Sequence, residues 1–261
     1  MMCNMYEINR CLHVACFIAL LGSAALVQGD QSWPSFQGPR GSGATTERLP
    51  QELGGKNISW ERMLPGYGLS TPVVHSNKVF ITCSSGPEQD RLRVLCIDGT
   101  KGQSLWERQF WATGRTMCHE KTSVAAPTPC TDGVRIYALF SSNDLVCLDF
   151  DGNLIWLRGI TADYPNVSNS LGMASSLVVT DGVVVAQVEN DSESYAIGID
   201  AVTGKNIWKI ERGKSANWTS PLVLSPGLVG LQSKSGIDAV DTANGHFLWK
   251  YDGGASTIPS S

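Results

Sequence analysis

The search for chemistry in this 261-residue chain begins at His119 and Glu120, an imidazole and a carboxylate side by side in the loop MCHEK. General acid or base work would need both to face one pocket, with a partner within hydrogen-bond reach. Neighbouring residues on a strand point to opposite faces, so the pair converges only if the loop bends. The plainer expectation is a solvated loop. His75, beside Ser76 and Asn77, and His246, in NGHF, read as exposed turn residues. The nucleophile motif GxSxG is missing, and its nearest approach, Gly68 to Ser70, runs directly into Thr-Pro. VTGKN around Lys205 resembles a phosphate loop but lacks the spaced first Gly and the following Ser or Thr, and reads as a hairpin turn. No complete catalytic or metal constellation is legible, and the expectation is a chain without a resident cofactor.

The chain has eight cysteines. Cys3, Cys11 and Cys16 fall in an N-terminal apolar stretch, which leaves Cys83, Cys96, Cys118, Cys130 and Cys147. No CxxC occurs, which disfavours zinc, and an odd number of thiols cannot all pair within one chain. Cys96 and Cys147 hold the same place in two repeats and read as buried thiols. Only Cys118 and Cys130, in a loop-rich stretch, suggest a disulfide in an oxidising compartment.

Arg10 followed by CLHVACFIALLGSAALV has the charge and apolar run of a secretory signal, with a cut expected after Gly29. The expected destination is the periplasm or the exterior, with no membrane span after cleavage. The composition, 42% hydrophobic and 17% charged with 27 Gly, suits an ordinary globular chain rich in tight turns. Lys and Arg number 20 against 24 Asp and Glu, a formal charge of -4 without a basic cluster, which argues against a nucleic-acid surface. Sequons at Asn57, Asn166, Asn190 and Asn217 would matter only in a eukaryotic secretory route.

The elements that must position any site are set by an internal repeat. CIDGTKGQSLW, CLDFDGNLIW, GIDAVTGKNIW and AVDTANGHFLW align, placing Asp98, Asp149, Asp200 and Asp241 in register with Gly102, Gly152, Gly204 and Gly245. Trp106, Trp156, Trp208 and Trp249 close the four units. Each unit reads as a hairpin: an apolar strand ends at Asp, Gly supplies positive φ in the turn, and the second strand delivers Trp. The Asp carboxylate can accept from turn amides that no ladder satisfies. Trp is expected to staple each unit to the next, since a residue repeated in every unit serves packing. Upstream lie STPVVHSNKVFI, PTPCTDGVRIYA, ASSLVVTDGVVVA and TSPLVLSPGLVGL, each a strand, turn and strand. Two hairpins give four strands. Successive repeat Asp residues are 51, 51 and 41 positions apart, a spacing suited to propeller blades. The expected fold is all-β, a β-propeller of four-stranded antiparallel blades.

This Asp, Gly and Trp pattern resembles the pyrroloquinoline-quinone-like (PQQ-like) repeat. That family includes quinoprotein alcohol dehydrogenases and the propeller lipoprotein of the outer-membrane barrel assembly machinery. The opening WPSFQGPRGSG, with HEKTSVAAPTPCTDG and ANWTSPLVL, is similar to exported PQQ-like propellers of the planctomycete type. The expected organisation is a signal peptide over 1–29, an N-terminal segment and closing strand over 30–60, and repeats over 61–110, 111–160, 161–212 and 213–252, with a partial unit over 253–261. Trp60 occupies the Trp place of a unit whose earlier strands are missing. The resemblance implies rings of seven or eight blades, so an incomplete ring with open edges and a tendency to self-associate is expected, with a genuine four-bladed closure as the rival.

The family's enzymes imply PQQ with calcium held in the central channel, carboxylate and amide ligands, an Asp base and, in several, an adjacent Cys pair. This sequence has no Cys-Cys, and a calcium-ligand set does not map onto it. The leading functional expectation is a non-catalytic scaffold that binds proteins or cell-envelope components. The alternatives are a PQQ-dependent alcohol or sugar dehydrogenase, or its remnant, and a carbohydrate-binding propeller with Trp111, Trp218 or Tyr164 as sugar platforms.

Overall fold

The computed structural model describes residues 32–39, 41–45, 50–52, 54–167, 171–258 and 260. The signal segment and Cys3, Cys11 and Cys16 lie outside the described residues. The expected all-β architecture is what the structure has: four antiparallel sheets in chain order, each a propeller blade.

Blade 1 comprises β1 (Ser32–Trp33), β2 (Val73–His75), β3 (Lys78–Ser85), β4 (Arg91–Asp98) and β5 (Ser104–Trp111). Blade 2 has β6 (Cys130–Thr131), β7 (Arg135–Leu139), β8 (Asp144–Asp149) and β9 (Leu154–Gly159). Blade 3 has β10 (Val178–Thr180), β11 (Val183–Val188), β12 (Tyr195–Asp200) and β13 (Asn206–Glu211), and blade 4 has β14 (Leu222–Ser225), β15 (Leu228–Ser233), β16 (Gly236–Asp241) and β17 (Phe247–Tyr251). A one-turn helix, α1 (Ile160–Asp163), follows blade 2. Among the described residues no helix is long and apolar enough to cross a membrane.

Strand composition explains the layering. The two middle strands of each blade are β-branched or aliphatic on both faces, as in VVVAQV and YAIGID, and both faces are buried. The last strands alternate with charges and stay partly exposed. The short first strands β2, β6, β10 and β14 lie innermost, and successive ones touch.

Apolar clusters fill the gaps between blades. Phe80 and Val94 of blade 1 pack with Ile136 and Val146 of blade 2, and Leu145 and Cys147 of blade 2 pack with Val184 and Ile197 of blade 3. A smaller cluster joins Val183 and Ala196 of blade 3 to Val229 and Leu231 of blade 4. The first and third hairpin turns of every blade open on one side, the turn face, and the middle turn opens on the other. The interblade segments 112–129 and 160–177 cross the other side, the connection face.

Candidate functional site

On the turn face the repeat residues build one device four times. Asp98 accepts from the Thr100 and Lys101 amides, Asp149 from those of Asp151 and Asn153, and Asp200 from those of Val202 and Thr203. These bonds favour the charged form. The Lys101 amide leads in holding Asp98 below the ordinary aspartate value, the Asn153 side chain does so for Asp149, and Thr203 does so for Asp200. The ladder shifts register at the same place in all four blades, one or two residues before the Asp.

The four glycines have φ of +66°, +81°, +71° and +75°. Each lies under a tryptophan from the unit before it. A Cβ added to Gly152 would come within 2.7 Å of the Trp106 ring, and Gly102, Gly204 and Gly245 meet Trp60, Trp156 and Trp208 in the same way. Each indole N–H donates to the carbonyl just after the repeat Asp: Trp60 to Gly99 (2.7 Å), Trp106 to Phe150 (2.9 Å), Trp156 to Ala201 (3.2 Å) and Trp208 to Thr242 (2.6 Å). Arg62, Arg108 and Arg158 add a guanidinium bond to the same glycines' carbonyls. Trp249 belongs to the last blade and is 48% exposed, against 8% for Trp208. On the turn face the repeat carboxylates, glycine carbonyls and indole N–H groups are thus spent on the frame itself.

The connection face has a second repeated feature. The amide at the start of each inner strand donates to a hydroxyl in the next unit: Thr71 to Thr128 (2.9 Å), Thr128 to Ser176 (3.0 Å), Ser176 to Ser220 (2.9 Å) and Ser220 to Ser260 (2.9 Å). This relay was missed in the sequence although it leaves a trace there, a Thr or Ser immediately before Pro or Leu in each upstream element. It forms the floor of an open cleft of about 480 Å³ at the inner ends of the blades. Phe36, Leu171, Trp218 and Ile258 wall the cleft with apolar surface.

The structure separates the sequence-singled pair. His119 lines the cleft, whereas Glu120 is exposed outside it. The His119 amide donates to the Leu171 carbonyl (3.1 Å), and its ring Nδ1 accepts from the Lys121 amide (3.1 Å). That bond leaves the neutral ring's proton on Nε2, a single fixed donor. Of the three aromatics considered as sugar platforms, Trp218 lines the cleft and bonds Gly172, while Trp111 carries the Arg91 guanidinium on its ring. Tyr164 lies against Lys209 and Tyr195.

Beside the cleft, between blades 3 and 4, sits a buried charge network without precedent in the repeat. Arg212 meets Glu189 at 2.6 Å and Asp238 at 2.5 Å. Its side chain is 5% exposed and that of Glu189 3%. Burial opposes the Arg212 charge, but the two carboxylates outweigh it and hold the guanidinium protonated. Gln187 and Asn217 complete the shell of Glu189.

The five cysteines among the described residues are free, so Cys118 and Cys130 form no disulfide here. Burial pushes Cys83, Cys96 and Cys147 up to about 12 and Cys130 well above the ordinary thiol value, which makes them inert.

Residues 54–251 match the family described as outer membrane protein assembly factor BamB. The chain belongs to that family. The outer membrane protein assembly factor BamB of Moranella endobia (strain PCIT) is 23% identical over 213 residues, covering 66% of this chain and 51% of the relative. The Yersinia pestis BamB is 22% identical over 232 residues, covering 73% and 55%. The chain therefore spans about half the length of the curated relatives it matches. Among solved structures, BamB from Moraxella catarrhalis superposes with a TM-score of 0.53 at 14% identity, over 76% of this chain and 56% of that one. The quinohemoprotein alcohol dehydrogenase of Comamonas testosteroni superposes with a TM-score of 0.58 at 14% identity, over 94% and 45%. These likenesses establish the propeller fold.

The dehydrogenase likeness raises PQQ, and the residues present do not fit it. PQQ is a tricarboxylate, and a buried polyanion needs cationic partners. Among the described residues the cleft is lined by no Lys or Arg, and by no Asp or Glu for an accompanying calcium. Among the described residues no three His, Cys, Asp or Glu gather where they could hold a metal. Ser32 to Phe36 also take up space along the inner strands.

Proposed function

We propose that this BamB-family chain is a non-catalytic scaffold exported to the cell envelope, and that it binds protein partners at the connection-face cleft. The carrying observation is the contrast in lining. The turn face uses its repeated polar groups on itself, whereas the cleft presents Phe36, Leu171, Trp218 and Ile258 over a floor of hydroxyls, with the imidazole of His119 at its edge. An apolar patch with few, directed polar groups is the composition of a recognition surface. Export is supported by the N-terminal Arg10 and apolar run, and an envelope role by the assembly-factor relatives. Fold alone would not choose between scaffold and enzyme, so the weight rests on the cleft.

The test is site-specific photocrosslinking in the expressing cell. A photoreactive residue replacing Leu171, in the cleft, is expected to give discrete protein adducts, and the same residue replacing Val202, exposed on the turn face, none. Adducts from Val202 and none from Leu171 would sink the reading. PQQ with calcium, added as a calorimetric control, is expected to release no binding heat.

A further inference from the structure

The strand nearest the axis of blade 1 comes from far upstream of the blade. β1 adds to the inner edge of β2 in antiparallel register, Ser32 opposite His75 and Trp33 opposite Val74. Trp33 packs against the cluster of Val74, Ile81 and Leu95. The Pro34 carbonyl then accepts from the Thr131 amide of blade 2 (2.9 Å), and Phe36 enters the cleft. Gly41, at φ +61°, approaches Leu222 of blade 4 so closely that an added Cβ would lie 2.5 Å from a Leu222 methyl carbon. One short segment thus touches the inner edges of three blades.

An inner strand edge offers unpaired amides and carbonyls that template an extended chain. Strand addition takes its affinity from these main-chain bonds and its selectivity from pockets for alternate side chains. Blade 1 demonstrates both: the β2 edge takes a strand, an apolar pocket takes its Trp, and the cleft takes an aromatic three residues on. The hold is brief, because Pro34 has no amide to continue the ladder and the register covers two residues.

We propose that the inner edge of blade 1 and the adjoining cleft are an acceptor site for an extended peptide carrying aromatic side chains. Ser32–Phe36 is its occupant in cis, and a partner's segment displaces it. The proposal rests on the scaffold reading and specifies the partner's chemistry. A tethered occupant competes at roughly millimolar effective concentration. The site therefore binds weakly in trans until the cis strand is loosened.

The probe is a fluorescent peptide of residues 32–39, SWPSFQGP, titrated by anisotropy into the full chain and into the full-chain Trp33→Ala variant. The variant is expected to bind at least ten-fold more tightly, and a probe carrying the same Trp33→Ala change to lose binding to it. If thermal melting shows that Trp33→Ala does not fold, the full-chain Phe36→Ala variant takes its place, with a few-fold tightening expected. Equal affinity for parent and variant chains, or equal binding of both probes, overturns the peptide site. If Leu171 crosslinks persist after that result, the scaffold reading stands without it; if they are also absent, both fall.

Discussion

The two faces of this propeller are built from different kinds of sequence. On the turn face the same three residue types recur at fixed spacing, and their polar groups and rings are consumed in joining one unit to the next. On the connection face the strands end in segments of unequal length and unlike composition, with only the hydroxyl relay repeated. A repeated residue must suit every interface, so it serves the frame. A residue that occurs once is free to serve a partner, and the walls of the cleft above the hydroxyl floor are made of such residues.

Substitutions on the turn face should therefore cost stability, and those in the cleft should cost binding. Trp156→Ala removes a staple ring and its bond to Ala201, and is expected to lower unfolding free energy by about 3–5 kcal/mol in urea titration. Arg212→Met tests whether the connection face also holds frame. It strands Glu189 and Asp238 in a buried site, and roughly 3–5 kcal/mol should be lost in the same titration. A loss as small as that of a surface change would show that water already reaches the network.

Asp149→Ala removes the turn's acceptor and should cost about 1 kcal/mol, reduced by solvent screening at this exposed site. The same turns set an acid limit. Asp98, Asp149 and Asp200 are held below their unfolded value, so their contribution is complete above the ordinary aspartate pKa of about 3.9 and is lost as pH falls through the lower folded values. Thermal melts from pH 5 to 2 should show this decline. Among the described thiols, alkylation by iodoacetamide at pH 8 should be confined to slow reaction at half-buried Cys118, with Cys83, Cys96, Cys130 and Cys147 reacting only on unfolding. Smallest of all, His119→Ala should leave stability within about 0.5 kcal/mol while reducing Leu171 crosslinking.

The frame was legible in the sequence because its causes are local and periodic. Asp149, Gly152 and Trp156 lie within one hairpin, and their spacing recurs in every unit. The cleft was legible only in part. His119 stood out by its type, but neighbouring positions in sequence could not reveal that it lines the cleft, its amide bonded to the Leu171 carbonyl, while Glu120 lies outside. The Arg212, Glu189 and Asp238 network escaped notice because its members come from two blades, 23 and 26 positions apart, at places the repeat does not share. A closing strand was expected somewhere in 30–60, but the position of β1 was not legible: a two-residue strand followed by Pro34 has no alternation to detect, and its partner lies more than 40 residues away.

The division between the faces is tested most directly by a substitution scan of residues 32–260 that reads protein abundance and Leu171 crosslinking at every position. The account predicts that Asp98, Gly102, Trp106 and their repeat counterparts lose abundance. His119 and Trp218 should lose crosslinking at normal abundance. Crosslinking losses gathered on the turn-face aspartates, with abundance intact, would contradict it.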